Sequence, residues 1–256
     1  MIKKPRVGIY AITGCYGCLL SVIYNETELL DMVELIDLRS FPFIKEVNDE
    51  SKLDIVILEG TVVYEGDLEL LKNLRKRTKI LVALGACACN GGAPSLRNFI
   101  DPQIYKHLVY HKASHLHDLD PKPIDAFVKV EYYIPGCPPD KEEIKNFLKD
   151  IILDKIPRLY IDPVCVECRR NENRCLLEDN KICLGPITRG GCNSVCTNGG
   201  LECWGCRGPT DDANFEELLS LLEEKGVDLK HIRERMETFV GLRIAEINKG
   251  KKWLEK

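Results

Sequence analysis

Twelve of the thirteen cysteines in this 256-residue chain fall at spacings that suit metal binding. Cys15 and Cys18 (TGCYGC) form a C-x2-C pair, while Cys87 (GACAC) and Cys137 (PGCPP) stand alone. Farther on, Cys165, Cys168, Cys175 and Cys183 read C-x2-C-x6-C-x7-C. Cys192, Cys196, Cys203 and Cys206 read C-x3-C-x6-C-x2-C. Thiolates are soft ligands that select zinc, copper(I) and iron–sulfur clusters. A 4Fe–4S cubane takes four of them. Spacing alone does not fix the grouping of the later eight, because a fourth ligand can cross between neighbouring clusters.

Other chemistry competes for these residues. A C-x2-C between a strand and a helix is also the thioredoxin signature, but that reading leaves Cys87 and Cys137 unused. No G-x-G-x-x-G follows the first strand, which speaks against a dinucleotide site. Buried structural thiols account for any one cysteine, not for four at successive strand ends. In the second half the rival is zinc, which also takes C-x2-C pairs. A zinc ribbon places its two pairs about fifteen to twenty residues apart. Here 34 residues separate Cys168 from Cys203, with four more cysteines between them. Two separate zinc sites remain compatible with the spacing.

The elements that must carry these thiols alternate between β and α over residues 1–158. Arg6–Ile12, Asp54–Glu59, Lys79–Leu84 and Lys129–Ile134 are short apolar runs that predict buried strands. Helices are predicted over Leu19–Asp31, Asp67–Arg77 and Glu142–Leu153, the last with Ile144, Phe147, Leu148 and Ile151 on one stripe. Ser95–Pro123 breaks the rhythm and reads as an irregular insertion. This alternation predicts an α/β fold, a flavodoxin-like, doubly wound parallel sheet. Cys15, Cys18, Cys87 and Cys137 then follow strand ends on one edge of that sheet, where ligands bind. Gly14, Gly17, Gly85 and Gly136 let the backbone approach closely there.

Residues 159–210 change grammar: eight cysteines, many Gly and Asn, few apolar runs. Such a segment needs something other than a conventional core, and bound metal is the usual answer. It reads as an irregular cysteine-rich iron–sulfur domain. Residues 211–256 read as a helical tail, with Phe215, Leu218, Leu219 and Leu222 on one stripe and Gly226 as a stop. That stripe suits either core or a subunit interface.

A net charge of −4 gives no reason to expect nucleic acid. The cluster Lys72, Arg75, Lys76, Arg77 and Lys79 reads as a solvated helix end, where cations suit the dipole. No apolar run reaches the roughly eighteen residues of a membrane span, and no export signal is visible. A cytoplasmic location is expected, where disulfides are mostly unstable and cysteines point to metal or redox work.

Taken together, TGCYGC, LEGTV at Leu58–Val62, GACA at Gly85–Ala88 and GCPP at Gly136–Pro139 resemble the small subunit of nickel–iron hydrogenases. The tract from Cys165 to Cys196, followed by CWGCRG, is similar to a multi-subunit branch of that family. That branch holds the delta subunits of sulfhydrogenases and the small subunits of hydrogenases that do not reduce F420. The resemblance spans about Arg6 to Pro209. It implies a proximal 4Fe–4S cluster on Cys15, Cys18, Cys87 and Cys137. It further implies a medial cluster on Cys192, Cys196, Cys203 and Cys206, and a distal one on Cys165, Cys168, Cys175 and Cys183. The nickel–iron centre would lie on a separate large subunit, with further iron–sulfur and flavin (NAD(P)-linked) subunits downstream. The periplasmic branch carries a histidine in its distal set and three cysteines in its medial set. Here both sets have four cysteines, so three cubanes and no 3Fe–4S cluster are expected. A glutamate that follows the first C-x2-C in that branch is replaced here by Leu19 and Leu20.

The function so implied is electron relay to or from hydrogen chemistry on the partner. A non-hydrogenase iron–sulfur carrier or H2 sensor on the same scaffold, and a zinc-stabilised structural protein, are the alternatives. Cys89 is the odd thiol and suits a small packing site. Glu59 suits a loop cap or a polarising group near the first cysteine set. Trp204, between two cysteines, suits a water shield. His107, His111 and His115 are four apart but patterned with no carboxylate or cysteine, which favours a solvated insertion over a metal site.

Overall fold

The computed structural model describes residues 4–24, 30, 33–49, 51–101, 104, 112, 117–158 and 160–247. The chain divides into two compact units, Met1–Arg158 and Leu159–Lys256.

The first unit is built on five parallel strands: β1 (Arg6–Ala11), β2 (Asp37–Ser40), β3 (Leu53–Glu59), β4 (Thr78–Leu84) and β5 (Tyr132–Ile134). Their order is β2-β1-β3-β4-β5, every neighbouring pair parallel. This is the flavodoxin-like order, with its switch point between β1 and β3. Side chains alternate across the sheet. Val7, Ile9, Ile55, Ile57, Val82, Leu84 and Ile134 share one apolar layer. Tyr10, Leu53, Val56, Leu58, Leu81 and Ala83 share the other. Both faces are covered, so the strands read as continuous apolar runs rather than alternating ones. Helices α1 (Gly17–Ile23) and α4 (Lys141–Ile152) close the first face through Leu19, Val22, Ile144, Phe147 and Leu148. Helix α2 (Glu65–Arg77) closes the second through Leu71 and Leu74. A short helix α3 (Gly85–Asn90) follows β4 directly and adds Ala88 and Cys89 to that layer. Asp140 caps α4 by accepting from the amides of Glu142 and Glu143 at 3.0 and 3.1 Å.

Several boundaries differ from the sequence reading. Helix α1 begins two residues earlier than expected and is described to Ile23; residues 25–29 and 31–32 of the expected helix lie outside the described residues. Strand β5 begins at Tyr132 rather than Lys129. Side chains occupy the missing rungs: Arg75 donates to the Lys129 carbonyl, and Glu131 Oε2 accepts the Leu81 amide at 2.8 Å. Strand β2 has no counterpart in the sequence reading. Its polar DLRS sequence carries an edge, where Arg39 bridges Asp37 and Asp49 at 2.7 Å each; charge on an edge strand discourages further pairing. The basic end of α2 is tied down locally. Arg75 pairs with Glu131 at 2.6 Å, which agrees with a helix-end role, whereas Lys79 lies in β4 and pairs with Asp54 at 2.8 Å.

The second unit has little regular structure until its last third. Helix α5 (Val164–Arg170) and the single turn α6 (Val195–Asn198) punctuate the cysteine-rich stretch. Helices α7 (Phe215–Glu224), α8 (Leu229–Glu237) and α9 (Gly241–Ile247) follow. Phe215, Leu218, Leu222, Ile232, Met236, Val240 and Ile244 pack with Leu184 and Ile187 of the cysteine-rich stretch in one core. The apolar stripe of α7 therefore serves as core. A smaller cluster holds Val164 and Leu176 against Cys183 and Cys203.

Candidate metal centres

The first set of thiols comes from loops at the carboxyl ends of the strands. Cys15 and Cys18 follow β1, Cys87 sits in α3 after β4, and Cys137 follows β5. Three backbone ties hold these loops together at that edge. Thr61 donates its amide to the Thr13 carbonyl at 2.9 Å, Ile12 donates to Glu59 at 3.0 Å, and Ala86 donates to Gly136 at 2.7 Å. Asp67, buried, accepts from the Thr13 amide and hydroxyl and from the Val63 amide at 3.2, 2.8 and 3.0 Å. The peptide bond Cys137–Pro138 is cis.

Glycine is required where the sulfurs pack. Gly85 has φ +86°, and a Cβ there would fall on Cys18 Sγ. Gly92 has φ +57°, and its Cβ would lie 2.7 Å from Cys87 Sγ. These are positions where side chains would occupy the space the sulfurs now hold.

The electrostatics of the set follow from this crowding. Burial pushes the Cys18 thiol up, and Glu59, Cys87, Cys137 and Cys15 push it further. The Cys87 thiol is pushed up to about 12 by burial, then by Cys137, Cys15 and Glu59, against one amide bond from Ala93. Cys137 is raised by burial, Cys15 and Glu59. Cys18 is buried and Cys87 partly so, while Cys15 and Cys137 are exposed, and as thiolates the four would repel one another. A polynuclear cation that accepts all four removes that penalty. Among the described residues, no three His, Cys, Asp or Glu side chains converge on a single ion. A cubane takes four thiolates, each on a different iron, and four soft sulfur donors from three strand-end loops suit that group.

Glu59 ends β3 at 1% exposure, and its Oε2 accepts the Leu19 amide at 2.9 Å. Burial raises its carboxyl, opposed by hydrogen bonds from the amides of Leu19, Tyr16 and Cys18 and from the Cys18 thiol. It therefore caps the C-x2-C loop and α1 across the switch point, rather than the loop that follows it. Cys89 is 3% exposed, directs its thiol to the Ala83 carbonyl at 3.5 Å and lies in the core.

In the second unit the sequence grouping can be compared with proximity. Cys165 is pushed up to about 12 by burial, then by Cys183, Cys168 and Cys175. Those thiols lie within electrostatic reach of Cys165. Cys203 is raised by burial and, farther down, by Cys183 and Cys206, while the Gly205 amide and the Thr188 hydroxyl lower it. Cys192 is raised by burial and held down by Arg207 and by the amides of Ser194 and Val195. The two sets touch at one seam. Cys203 donates its amide to Cys183 Sγ at 3.4 Å, and Leu184 returns a hydrogen bond to the Cys203 carbonyl at 3.0 Å. A Cβ on Gly185 would lie 3.2 Å from Cys165 Sγ and 3.5 Å from Cys183 Sγ. Trp204 is 42% exposed, and the Arg235 guanidinium stacks on it 3.5 Å from its centroid. Arg235 also donates to the Ile182 carbonyl at 3.1 Å.

Two charged residues escaped the sequence reading. Glu167 lies between Cys165 and Cys168, and Arg207 directly follows Cys206; their place inside ligand motifs was the available signal. His107, His111 and His115 lie outside the described residues. No described helix is long and apolar enough to cross a membrane.

Comparison with known proteins agrees with this architecture. The family described as NADH ubiquinone oxidoreductase, 20 Kd subunit, matches residues 15–151. Sulfhydrogenase 2 subunit delta of Pyrococcus furiosus is 37% identical, over 91% of this chain and 98% of that protein. The vhu G chain of the F420-non-reducing hydrogenase of Methanocaldococcus jannaschii is 32% identical, over 88% and 90%. A chain of the crystal structure of an NAD+-reducing [NiFe]-hydrogenase in the H2-reduced state superposes with a TM-score of 0.56 at 32% identity. It covers 61% of this chain and 95% of that one. Fold and likeness together define an α/β oxidoreductase subunit. The chain belongs to the small-subunit family of nickel–iron hydrogenases, whose members transfer electrons and pair with a large subunit.

Proposed function

We propose that this chain relays electrons through three 4Fe–4S clusters between a nickel–iron centre on its large subunit and a downstream redox subunit. The first cluster is assigned to Cys15, Cys18, Cys87 and Cys137. The others are assigned to Cys165, Cys168, Cys175 and Cys183, and to Cys192, Cys196, Cys203 and Cys206. The observation that carries the reading is the convergence of thiols from separate strand-end loops, at glycines whose Cβ atoms would displace the sulfurs. Each cluster, when bound, supplies a one-electron carrier. The chain's own residues hold the thiolates and set the potential. Amides aimed at Cys183, Cys192 and Cys203 favour the more reduced, more negative state. The downstream partner is proposed to be a further iron–sulfur or flavin subunit, and the compartment the cytoplasm.

The test is a count of iron, acid-labile sulfide and zinc per chain after anaerobic purification. Three cubanes require about twelve iron and about twelve sulfide. A colourless protein holding about two or three zinc ions and no sulfide would leave a zinc-folded structural protein instead.

A further inference from the structure

One short loop in the second unit, Gly190–Ser194, is held between two opposite charges. On one side stands Glu167, directly before Cys168 on α5. Its Oε1 accepts the Gly191 amide at 2.6 Å, and its Oε2 accepts the Ser194 amide at 3.1 Å. The same Oε2 lies 4.0 Å from Cys192 Sγ. On the other side stands Arg207, only 2% exposed. Its Nε donates to the Gly190 carbonyl at 2.6 Å, and its guanidinium lies over the Tyr160 ring at 5.7 Å. Gly191 adopts φ +108°, and a Cβ there would strike both the guanidinium and Tyr160. The loop thus has a glycine because a buried cation sits against its backbone.

Neither placement is needed merely to close a turn. An amide can donate to water or to a neutral carbonyl oxygen as well as to a carboxylate, and burying a guanidinium is costly unless a charge or hydrogen bonds answer it. Both charges stand beside the same cysteine set: the Glu167 carboxylate is 4.0 Å from Cys192 Sγ, and Arg207 directly follows Cys206. Glu167 also belongs to the helix that carries two ligands of the other set, so its charge acts beside both.

We propose that Glu167 and Arg207 are positioning residues that clamp the Cys192 loop and bias the cluster on Cys192, Cys196, Cys203 and Cys206 in opposite directions. The inference rests on the cluster assignment above. An added electron makes a cluster more negative. Arg207 therefore raises its reduction potential and Glu167 lowers it. The size of either bias is set by distance and by how far solvent screens the charge.

The experiment is a redox titration followed by EPR on the anaerobically purified full chain with its co-purifying partner. The signal that C196S removes marks the cluster in question. In E167Q, which keeps a hydrogen-bond acceptor but loses the charge, the reduced-to-oxidised ratio at fixed potential is expected to rise about three- to tenfold. Tenfold corresponds to about 59 mV for a one-electron couple. In R207Q the ratio is expected to fall by a similar factor, and R207K is expected to stay near the parent. Shifts of the same sign in E167Q and R207Q, or none in E167Q, overturn the clamp as an electrostatic device while leaving the relay intact. Should R207Q fail to fold, the sign of the E167Q shift decides alone. Absence of any C196S-sensitive signal in the parent chain overturns this inference together with the assignment beneath it.

Discussion

Cys87 and Cys89 stand two residues apart in α3, yet their surroundings assign them different work. Cys89 faces the apolar layer under β4, where its sulfur fills space and meets the Ala83 carbonyl. Cys87 faces Gly92 and the thiols of Cys15 and Cys137. Replacement by alanine separates the two roles. C89A is expected to keep the full iron content and lose about 1 kcal/mol of stability through the small void. C87A is expected to lose one cluster, about four iron in twelve, as read by iron analysis and EPR. Equal iron loss in both variants would show that the assignment of these thiols is wrong. The sequence pointed to these cysteines as proposed ligands, because four thiols at the ends of three strands have few other uses. It did not reveal Glu167 or Arg207. A charged residue inside a C-x2-C reads as solvated surface until the chain brings Gly191 and Gly190 against it.

At the scale of elements, the interior strands were legible and the margins were not. Strands β1, β3 and β4 are buried on both faces, so their composition alone marks them. Strand β2 is a polar edge set by pairing with β1, which no local pattern announces. Helices α5 and α6 are short, and their surroundings are sulfur, glycine and asparagine rather than an apolar stripe. The far end of the sheet is fastened by charge. Asp54 of β3 accepts from the Arg6 amide and Nε of β1 at 3.0 Å each and pairs with Lys79 of β4 at 2.8 Å. The Arg6 side-chain bond, followed by the Lys79 bond and the Arg6 amide, holds the Asp54 carboxyl well below the usual carboxylate range against a desolvation penalty. A depressed folded-state pKa contributes stability that is present above the unfolded value of about 3.9 and lost as pH falls below it. The clamp is part-exposed, so screening trims it to about 1 kcal/mol. D54N is therefore expected to weaken amide-exchange protection in β1 and β3 of the iron-free chain by that amount between about pH 5 and 8. The gap to the parent should close below about pH 4. A gap that persists unchanged into acid would assign the effect to packing instead of charge.

At the scale of the whole molecule, the two units are expected to depend on iron unequally. The sheet of the first unit has two apolar layers, one on each face, and only Cys18 among the four proposed ligands contributes to either. Those layers therefore draw little of their apolar burial from the proposed ligands. The second unit is different. Its main core draws Leu184 and Ile187 from a stretch that is otherwise loops and turns. Its smaller cluster consists of Val164, Leu176, Cys183 and Cys203, so half of its buried members are proposed ligands. When iron is removed, the thiols of each set take up protons, and nothing apolar replaces the bonds that joined them. Metal-binding free energy is then folding free energy for this segment. Chelation under reducing conditions is expected to abolish exchange protection and admit protease across residues 160–209. Helices α7, α8 and α9 should retain only partial protection, because Leu184 and Ile187 leave their core. Strands β1, β3 and β4 should remain protected, with local loss confined to the loops bearing Cys15, Cys18, Cys87 and Cys137. Hydrogen exchange resolved along the sequence measures all of this in one experiment. Equal loss in both units would mean that iron also holds the sheet together, and equal retention would mean that the cysteine-rich segment folds on its hydrogen bonds alone.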